Sequence, residues 1–326
     1  MRSMKLPGRE ELLSAAQIVS AALAPTPQIR WPLLQARTGA EVWVKHENHG
    51  PVGAFKLRGG IVYIDSLARR GHPPAGVIAA TRGNHGQSIA YAAARAGMSA
   101  AIVVPHHNSR EKNAAIRALG AELIEHGRDF QDALEFAQRM AIERGLHMVP
   151  SFDPALVSGV ASYALEFFGA VANLDTVYVP IGLGSGICAM IAAREALGLR
   201  TRIVGVVAEN APAYALSFAA GRVVTTESAD TMADGVACRV PLEPALEVIN
   251  RWAEQIVTVS EAEIAAAMRF YFSDTHNVAE GAGAAPLAAL LKERAAMERR
   301  KVGLVLSGGN VDRDVYARVL AEDPGR

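Results

Sequence analysis

Residues 50–60 read Gly-Pro-Val-Gly-Ala-Phe-Lys-Leu-Arg-Gly-Gly, and the interpretation of the whole chain starts from this stretch. A turn rich in glycine and proline precedes Lys56, and an amphipathic run follows it. Such a turn can hold the lysine at the mouth of a cleft, where partial desolvation lowers the pKa of the amine and makes it a nucleophile towards carbonyl groups. The alternative is an ordinary surface lysine in the first turn of a helix, and the rest of the chain decides between the two.

The composition bounds the class of protein. The chain has 326 residues, of which 50% are apolar, so it is long enough for two packed domains. Lys and Arg together number 33, as do Asp and Glu, which leaves a formal net charge of zero. Binding to nucleic acid or to an anionic membrane surface requires clustered basic charge. We therefore expect neither as a partner, and a small-molecule substrate is favoured.

Cysteine content and hydropathy indicate the compartment. Cys188 and Cys238 are too few for a disulfide framework, and no second pair stands at zinc-ligand spacing. The N-terminal stretch lacks the apolar core of a signal peptide, and no run reaches the roughly 18 uninterrupted apolar residues of a membrane span. We expect a cytoplasmic protein with reduced cysteines.

Strand-like and helix-like segments alternate along most of the chain. Apolar runs at residues 77–80, 101–104 and 176–180 predict buried strands, and helical patterns follow them. Strands that are apolar on both faces and alternate with helices predict a parallel sheet covered on both sides. The alternation breaks and restarts near residues 145–153, so two doubly wound α/β units are expected.

Towards the two ends of the chain the predicted elements are less regular. Residues 9–23 predict a helix that ends before Pro25, and extended chain is expected after Pro27. Near the other end, a long helix rich in alanine and leucine is expected over residues 286–299, before a strand at residues 302–306.

The first glycine-rich loop lies where ligands bind in open α/β sheets, beyond the C-terminal end of a strand. Residues 81–87 read Thr-Arg-Gly-Asn-His-Gly-Gln. The glycines allow close approach of a ligand, and the backbone amides with the side chain of Asn84 suit a carboxylate at a helix N-terminus. His85 is a candidate base, although a histidine beside a helix start more often has a structural hydrogen-bonding role.

A second loop, residues 182–186, reads Gly-Leu-Gly-Ser-Gly and precedes a predicted helix. Alternating glycines there form a nest of amide donors for a phosphate. Position 187 is isoleucine, so the third glycine of a dinucleotide fingerprint is missing, and the loop also lacks the Gly-Lys-Ser/Thr of a P-loop. A single phosphate group is the better fit.

Two further loops complete the candidate site. Residues 307–310 read Ser-Gly-Gly-Asn, and the serine hydroxyl can serve a ring nitrogen as a neutral partner. Residues 280–284 begin with Glu280, which is either a site carboxylate or a helix N-terminal acid favoured by the dipole. A lysine for a Schiff base, a nest for one phosphate and a polar loop for a carboxylate together indicate pyridoxal phosphate acting on an amino acid.

These motifs resemble, in the same order and over nearly the whole chain, those of the threonine/serine dehydratase family of pyridoxal-phosphate enzymes. The resemblance implies the tryptophan-synthase-β-like fold, fold type II. Residues 53–59 are similar to the family's G-S-F-K-x-R-G, which makes Lys56 the Schiff-base lysine and places Phe55 beside the cofactor ring. Residues 83–87 match the family's G-N-H-G-Q, in which the asparagine, here Asn84, contacts the phenolic oxygen of the cofactor.

The resemblance implies roles for three further groups of residues. The substrate carboxylate would be held by Thr81, Arg82, Gly83, Asn84 and His85. The cofactor phosphate would be held by Gly182, Leu183, Gly184, Ser185 and Gly186. Ser307 would meet the pyridine nitrogen, and residues 231–235 (Thr-Met-Ala-Asp-Gly) are similar to the family's T-x-A-D-G.

The chain departs from the family pattern at several positions. Ala54 replaces the serine of S-F-K, and Arg82 replaces the serine before G-N-H-G. In related racemases this second serine is the acid/base opposite the lysine, so racemisation is not expected here. Arg82 is expected either to brace the substrate carboxylate or to point into solvent. Glu209 resembles a glutamate of the family's cation site, but Ala215 replaces the nearby acid, which leaves a monovalent or divalent cation open.

The resemblance implies a dehydratase, or ammonia-lyase, that converts an L-3-hydroxy amino acid of the threonine/serine type to a 2-oxo acid and ammonia by α,β-elimination. It also implies a homodimer. We expect residues 1–52 and 148–326 to form a large pyridoxal-phosphate-binding domain and residues 53–147 a small domain.

Two alternatives remain open. Arg82 and residues 46–53 resemble phenylserine dehydratases, which act on a bulkier 3-hydroxy amino acid. An alternative of another class is a non-catalytic protein that binds pyridoxal phosphate or an amino acid. Retention of Lys56 and of all the glycine-rich loops favours an enzyme.

Overall fold

The computed structural model describes residues 5–322. Residues 1–4 and 323–326 lie outside the described part, and with them the first residues of the stretch that lacks a signal-peptide core and the outermost ends of the predicted large domain. Between residues 5 and 322, no helix combines the length and the apolar character needed to cross a membrane.

Helices and strands alternate along the chain. The helices are α1 (Arg9–Ser20), α2 (Pro32–Thr38), α3 (Lys56–Ala68), α4 (Asn84–Arg95), α5 (Arg110–Ala118), α6 (Phe130–Arg144), α7 (Pro154–Ala170), α8 (Ser185–Ala196), α9 (Ala213–Ala220), α10 (Glu243–Trp252), α11 (Glu261–Thr275), α12 (Gly281–Lys292), α13 (Arg294–Met297) and α14 (Arg313–Ala321). The strands are β1 (Gln28–Arg30), β2 (Glu41–His46), β3 (Gly76–Ala80), β4 (Ser99–Val104), β5 (Glu122–Glu125), β6 (His147–Met148), β7 (Thr176–Pro180), β8 (Arg202–Ala208), β9 (Gln255–Val259) and β10 (Lys301–Leu306).

Two sheets organise these elements. A six-stranded sheet has the order β1-β2-β10-β7-β8-β9, and a four-stranded sheet has the order β5-β4-β3-β6. Neighbouring strands run parallel, apart from β1, which pairs antiparallel with β2. The prediction of two parallel α/β units is confirmed, and the antiparallel edge strand is an addition to it.

Helices cover both faces of each sheet. One face of the six-stranded sheet shares its core with α2, α11 and α12, and the other with α7, α8 and α10. The four-stranded sheet packs against α3 and α4 on one face and against α6 on the other. Strands that are buried on both faces need apolar side chains at every position, which is the reason for their continuous apolar runs.

The structure corrects two predictions near the chain ends. Residues Pro32–Thr38 form α2, where extended chain was predicted, and Pro32 lies in the first turn, where its fixed φ suits a helix. The helix predicted over residues 286–299 instead begins at Gly281 and ends at Lys292. Pro286 lies inside this helix. Burial of the first turn of α12 compensates for the low helix propensity of glycine.

Helices α3 and α7 cross closely through paired glycines. A Cβ atom on Gly59 would lie 2.7 Å from the carbonyl oxygen of Leu156, and one on Gly159 would lie 2.5 Å from the carbonyl oxygen of Arg58. Only glycine fits this crossing without displacing backbone. The crossing fixes the first turn of α3, and therefore Lys56, between the two sheets.

Candidate active site

Lys56 is the first residue of α3 and reaches across to the six-stranded sheet. Its Nζ donates a hydrogen bond to Oγ of Ser185 at 2.9 Å. The side chain is half-buried, and burial of the amine lowers the pKa of Lys56 to about 8. An amine with this pKa is partly deprotonated near neutral pH, as a Schiff-base lysine requires. The structure therefore brings together two motifs that are far apart in the sequence.

The glycine loop at residues 182–186 leads from β7 into α8. Gly184 caps the helix with a left-handed φ of 97°, and a Cβ atom there would lie 2.7 Å from Cβ of Ala245. A Cβ atom on Gly182 would overlap the carbonyl oxygen of Gly235, so the 231–235 segment packs directly against this loop. Within residues 5–322, no side chain caps the first turn of α8, which leaves its amides free to bind an anion.

Phe55 and Ser307 meet beside Lys56. The backbone N–H of Phe55 donates to the carbonyl oxygen of Ser307 at 3.0 Å, and Ser307 is buried at the end of β10. The ring of Phe55 packs edge-on against Tyr163 with ring centroids 6.1 Å apart. A Cβ atom on Gly186 would lie 3.5 Å from the Phe55 ring, so this ring lies against the glycine loop at residues 182–186.

The loop at residues 81–85 leads from β3 into α4 and faces the same cleft. The hydroxyl of Thr81 accepts a hydrogen bond from the N–H of Gly83 at 2.9 Å, which closes a tight turn. Gly83 has a φ of 156°, and a Cβ atom there would lie 2.5 Å from Cδ of Lys112. The helix then begins at Asn84, so its first amides point towards the loop mouth.

His85 is buried close to Lys56. Burial, together with the charge of Lys56, lowers the pKa of His85 to about 3, so the imidazole is neutral at physiological pH. Nε2 of His85 has no hydrogen-bond partner among the described residues. A buried nitrogen without a partner beside a reactive amine is consistent with a site built to receive a polar ligand.

Asn84 lies in a chain of side-chain hydrogen bonds that crosses the cleft. Its Nδ2 donates to Oε1 of Glu280 at 2.7 Å, and its Oδ1 accepts from Nδ2 of Asn310 at 2.8 Å. Glu280 is the N-cap residue of α12, but its side chain makes no capping hydrogen bond within the described chain. The helix-dipole explanation for this glutamate is therefore incomplete, and its carboxylate belongs to the site.

Charged side chains extend this series of side-chain contacts from Glu280 towards solvent. Nζ of Lys112 lies 3.6 Å from Oε2 of Glu280 and 3.3 Å from Oδ2 of Asp234. The guanidinium of Arg82 lies 3.4 Å from Oδ1 of Asp234, with 47% of the side chain exposed. Arg82 therefore pairs with an acid of the T-x-A-D-G-like segment, an arrangement that neither of its two predicted roles included.

Burial and charge act in opposite directions on Lys112 and Glu280. Burial acts to lower the pKa of Lys112, but Glu280 and Asp234 outweigh it and raise this pKa. Burial raises the pKa of Glu280, and the ammonium of Lys112 opposes that shift. The sequence alone does not indicate Lys112 as a site residue, because a single lysine in a helix has no local pattern that marks it.

A polar cavity of about 760 Å³ adjoins Arg82 and Asp234. Its lining consists of charged and polar side chains: Arg82, His107, Asn108, Ser109, Arg110, Asn113, Arg117, Glu125, Asp234 and Asp312. Arg82 is the residue of the 81–85 loop that lines this cavity.

A buried ionic cluster supports the start of α3. The guanidinium of Arg58 donates to Glu47 at 2.7 Å and to Glu166 at 2.6 Å, and Nζ of Lys45 lies 2.6 Å from Glu166. Burial acts to lower the pKa of Arg58, but Glu47 and Glu166 together outweigh it and raise this pKa, so the guanidinium stays charged. Arg58 stands two residues after Lys56 in the quoted motif, which is the signal from which a supporting role could have been inferred.

The cation prediction gains no ligand cluster. Glu209 is exposed at the end of β8, and within the described chain no three His, Cys, Asp or Glu side chains are grouped as a metal site would require.

The assembled residues fit pyridoxal phosphate. Lys56 supplies an amine of lowered pKa, and the α8 loop supplies amides that no described side chain caps. Ser307 lies next to Phe55, whose N–H its carbonyl oxygen accepts, and supplies a buried hydroxyl. These features match an aldehyde, one phosphate and an aromatic ring with polar edges.

Comparison with known proteins identifies the family. The family described as "Pyridoxal-phosphate dependent enzyme" matches residues 19–308. The chain is 35% identical over 289 residues to an L-threonine ammonia-lyase of Thermotoga maritima, which covers 88% of this chain and 72% of that one. It is 31% identical over 319 residues to an L-threo-3-hydroxyaspartate ammonia-lyase of Saccharomyces cerevisiae, which covers 98% of each chain. Maize serine racemase has a similar structure, with a TM-score of 0.90, 26% identity and 98% of each chain covered.

These similarities confirm the family resemblance, the fold type, pyridoxal phosphate as the cofactor and the assignment as an enzyme of the dehydratase type. The non-catalytic alternative loses its basis, because the relatives are named as enzymes and Lys56 is retained. The match covers both sheets, from within α1 to the turn after β10. This chain belongs to the family of pyridoxal-phosphate-dependent enzymes.

Proposed function

We propose that this protein is an ammonia-lyase that converts an L-3-hydroxy amino acid of the threonine/serine type to a 2-oxo acid and ammonia. The observation that carries the proposal is the Lys56 amine, which has a pKa of about 8 and lies 2.9 Å from Ser185 on the glycine loop. The names of the relatives, a threonine ammonia-lyase and a hydroxyaspartate ammonia-lyase, support the same reaction class.

The proposed mechanism assigns proton transfer to Lys56. When bound, pyridoxal phosphate supplies the electron sink that makes the α-proton of an amino acid acidic. Lys56 takes this proton, the C–O bond at the β-carbon breaks, and the protonated Lys56 returns the proton to the departing hydroxide, which leaves as water. The enamine then hydrolyses to the 2-oxo acid and ammonia. An amine with a pKa of about 8 can both accept and release a proton near neutral pH.

The remaining predicted site residues bind and orient. We assign the cofactor phosphate to residues 182–186 and the substrate carboxylate to residues 81–85, because both loops present free amides at a helix start. Ser307 offers a neutral hydroxyl to the pyridine nitrogen. A neutral hydroxyl cannot stabilise a pyridinium as a carboxylate would. That choice limits the build-up of negative charge on the ring and favours prompt elimination.

Two measurements test the proposal. Purified enzyme is supplied with serine, threonine, 3-hydroxyaspartate and phenylserine, and ammonia release is recorded for each. The Lys56→Ala variant should lose turnover because the α-proton base is removed, whereas Lys292→Ala, which removes an exposed lysine on α12, should keep it. Turnover at the normal rate by Lys56→Ala would refute the mechanism, and no ammonia from any of the four would refute the function.

A second candidate substrate is favoured by the polar cavity. The cavity beside Arg82 is lined by charged and polar side chains, which suits a substituent such as the second carboxylate of 3-hydroxyaspartate better than a phenyl ring. The hydroxyaspartate ammonia-lyase of Saccharomyces cerevisiae is similar to this chain over 98% of both chains, which supports the same candidate. A preference for phenylserine in the substrate panel would contradict this ranking.

The remaining expectations concern location, assembly, domain division and partners. We propose a cytoplasmic homodimer with a small domain at residues 53–147 and a large domain formed by residues 1–52 and 148–326, supported by the family resemblance. Net charge zero supports the absence of nucleic acid and membrane partners. A monovalent or divalent cation near Glu209 is a further proposal.

A further inference from the structure

The carboxamide of Asn84 is held at both ends by other side chains. Its nitrogen donates one hydrogen to Oε1 of Glu280 at 2.7 Å, and its oxygen accepts from Asn310 at 2.8 Å. A carboxamide has two N–H donors and one oxygen acceptor. One N–H of Asn84 therefore remains for a ligand, while its oxygen is already in use.

The orientation of Asn310 is fixed in turn by the backbone. Its Nδ2 donates to the carbonyl oxygen of Val52 at 2.7 Å as well as to Asn84, so both of its hydrogens are used. A backbone carbonyl cannot donate, so the side-chain nitrogen of Asn310, and not its oxygen, must face Val52 and Asn84. A flipped Asn84 would set its NH₂ group against that of Asn310, with two donors facing each other.

The carboxylate of Glu280 sits in a space shaped for it. A Cβ atom on Gly308 would lie 2.5 Å from Oε1 of Glu280, and one on Gly281 would lie 2.9 Å from Cα of Ala233. The other oxygen of Glu280 lies 3.6 Å from Nζ of Lys112, a cation that favours the ionised carboxylate. Asn310 already uses the oxygen of Asn84, so Oε1 of Glu280 meets the nitrogen of Asn84 and accepts its N–H.

We infer that Glu280 and Asn310 are positioning residues that fix the carboxamide of Asn84 so that it presents an N–H donor to the cofactor. The inference rests on the proposed cofactor placement, in which Asn84 meets the phenolic oxygen. A donor at that position stabilises a negatively charged oxygen, whereas the carboxamide oxygen would repel it. Glu280 is thereby part of the cofactor site without touching the reacting atoms.

A double-mutant cycle on cofactor affinity tests the inference. The dissociation constant of pyridoxal phosphate is measured by absorbance titration of the apo-protein for the wild type, Glu280→Ala, Asn84→Ala and the double variant. Glu280→Ala should weaken binding about tenfold, the effect of one hydrogen bond to a charged group. In the Asn84→Ala background the same change should weaken binding less than about twofold, because the residue through which it acts is gone. An equal factor in both backgrounds would overturn the inference.

Rescue and matched controls separate positioning from a general loss of structure. Glu280→Gln keeps an acceptor for the nitrogen of Asn84 and should bind the cofactor more tightly than Glu280→Ala. Asp274→Asn is the matched control, because its side chain is 6% exposed and pairs with Arg37, and that of Glu280 is 7% exposed and pairs with Lys112. It should alter thermal stability and leave cofactor affinity and the visible spectrum unchanged.

Asn310→Ala gives a second, independent variant. It should weaken cofactor binding in the wild-type background and have little effect in the Asn84→Ala background, as Glu280→Ala does. Should Glu280→Ala fail to fold, this pair decides the outcome by the same criterion. Cofactor binding needs no substrate, so a failed ammonia assay would refute the proposed function and leave this test unaffected.

Discussion

Lys56 shows how burial alone prepares a reactive group. Among residues 5–322 no neighbouring cation accounts for the shift, and desolvation is the cause that lowers the pKa of Lys56 to about 8. Burial disfavours the charged form because the surrounding protein solvates an ammonium ion poorly. The geometry of α3, and not a second charge, therefore sets the chemistry of this residue.

This pKa predicts how the apo-protein captures its cofactor. Imine formation requires the neutral amine, so the rate of capture should rise with pH to a plateau, with a midpoint near pH 8. Stopped-flow absorbance after mixing apo-protein with pyridoxal phosphate gives this profile. A midpoint near that of an ordinary lysine, about 10.4, would contradict the buried amine. Lys56→Ala serves as the blank.

Ser185 allows a test of the phosphate loop. Ser185→Asp places a carboxylate in a nest of amides that suits a dianion, so the like charges should repel and cofactor retention should fall. Ser185→Ala removes the hydroxyl without adding charge and should retain most of the cofactor. Cofactor content after dialysis is read from the visible absorbance. Undiminished content in Ser185→Asp would count against this loop as the phosphate site.

Arg82 predicts elimination without inversion of the α-carbon. Racemisation requires an acid/base on each face of the planar intermediate, and a guanidinium with a pKa above about 12 does not exchange protons readily near neutrality. The guanidinium of Arg82 also lies 3.4 Å from Oδ1 of Asp234, so it is already engaged with a carboxylate. Chiral chromatography of L-serine or L-threonine after incubation should therefore find the 2-oxo acid and no comparable amount of D-epimer or L-allo product. A D-epimer formed as fast as ammonia would refute this role.

At the scale of elements, the crossing of α3 and α7 controls the site. A Cβ atom on Gly159 would lie 2.5 Å from the carbonyl oxygen of Arg58 and 2.9 Å from Cα of Gly59. Both neighbours are backbone atoms, which cannot move aside as a side-chain end can. The separation of the two helices therefore depends on the absence of a single methyl group.

Gly159→Ala should lower the free energy of unfolding by about 1–3 kcal/mol, the usual cost of overpacking a core. Gly169→Ala is the matched control in the same helix, because a Cβ atom there meets nothing within 4 Å. It should be neutral or stabilising by about 0.5–1 kcal/mol, since alanine is the better helix former. Urea denaturation measures both. Equal stability of the two variants would show that the crossing tolerates a wider separation.

The sequence predicts elements well where the pattern is local. Helix α11 begins after Ser260 with a full capping box, as its sequence indicates, and strand β7 has the predicted bounds. Strand β6 is only two residues long and exists through its pairing with β3, so no local pattern marks it. Helix α12 begins before Pro286 because tertiary burial outweighs the glycines at its start.

The candidate site divides in the same way. The motifs around Lys56, Asn84 and the glycine loop are each readable from a few consecutive residues. The pairings that connect them are not, because Asn84 meets Glu280 across 196 positions of sequence. Arg82 was interpreted from its own loop alone, and its partner Asp234 lies in a different part of the chain. Contacts of this range follow from the topology of the two sheets.

At the scale of the whole molecule, the homodimer is the remaining prediction. Sedimentation velocity at micromolar concentration should show a single species of twice the chain mass of 34.5 kDa. The dimer should be seen whether or not the cofactor is bound, so holo- and apo-protein are compared at equal concentration. A monomer throughout this concentration range would overturn the prediction.

The position of Lys56 has a mechanical consequence. Helix α3 packs with the four-stranded sheet, while the amine at its first residue is bonded to a loop of the six-stranded sheet. Lys56 is therefore attached to a helix of one sheet and hydrogen-bonded to a loop of the other. The α3–α7 crossing and this hydrogen bond both join the two sheets, so a displacement of one sheet relative to the other would change the Nζ–Oγ distance. A change in the separation of the two sheets would therefore alter the position of the reactive amine relative to the glycine loop directly.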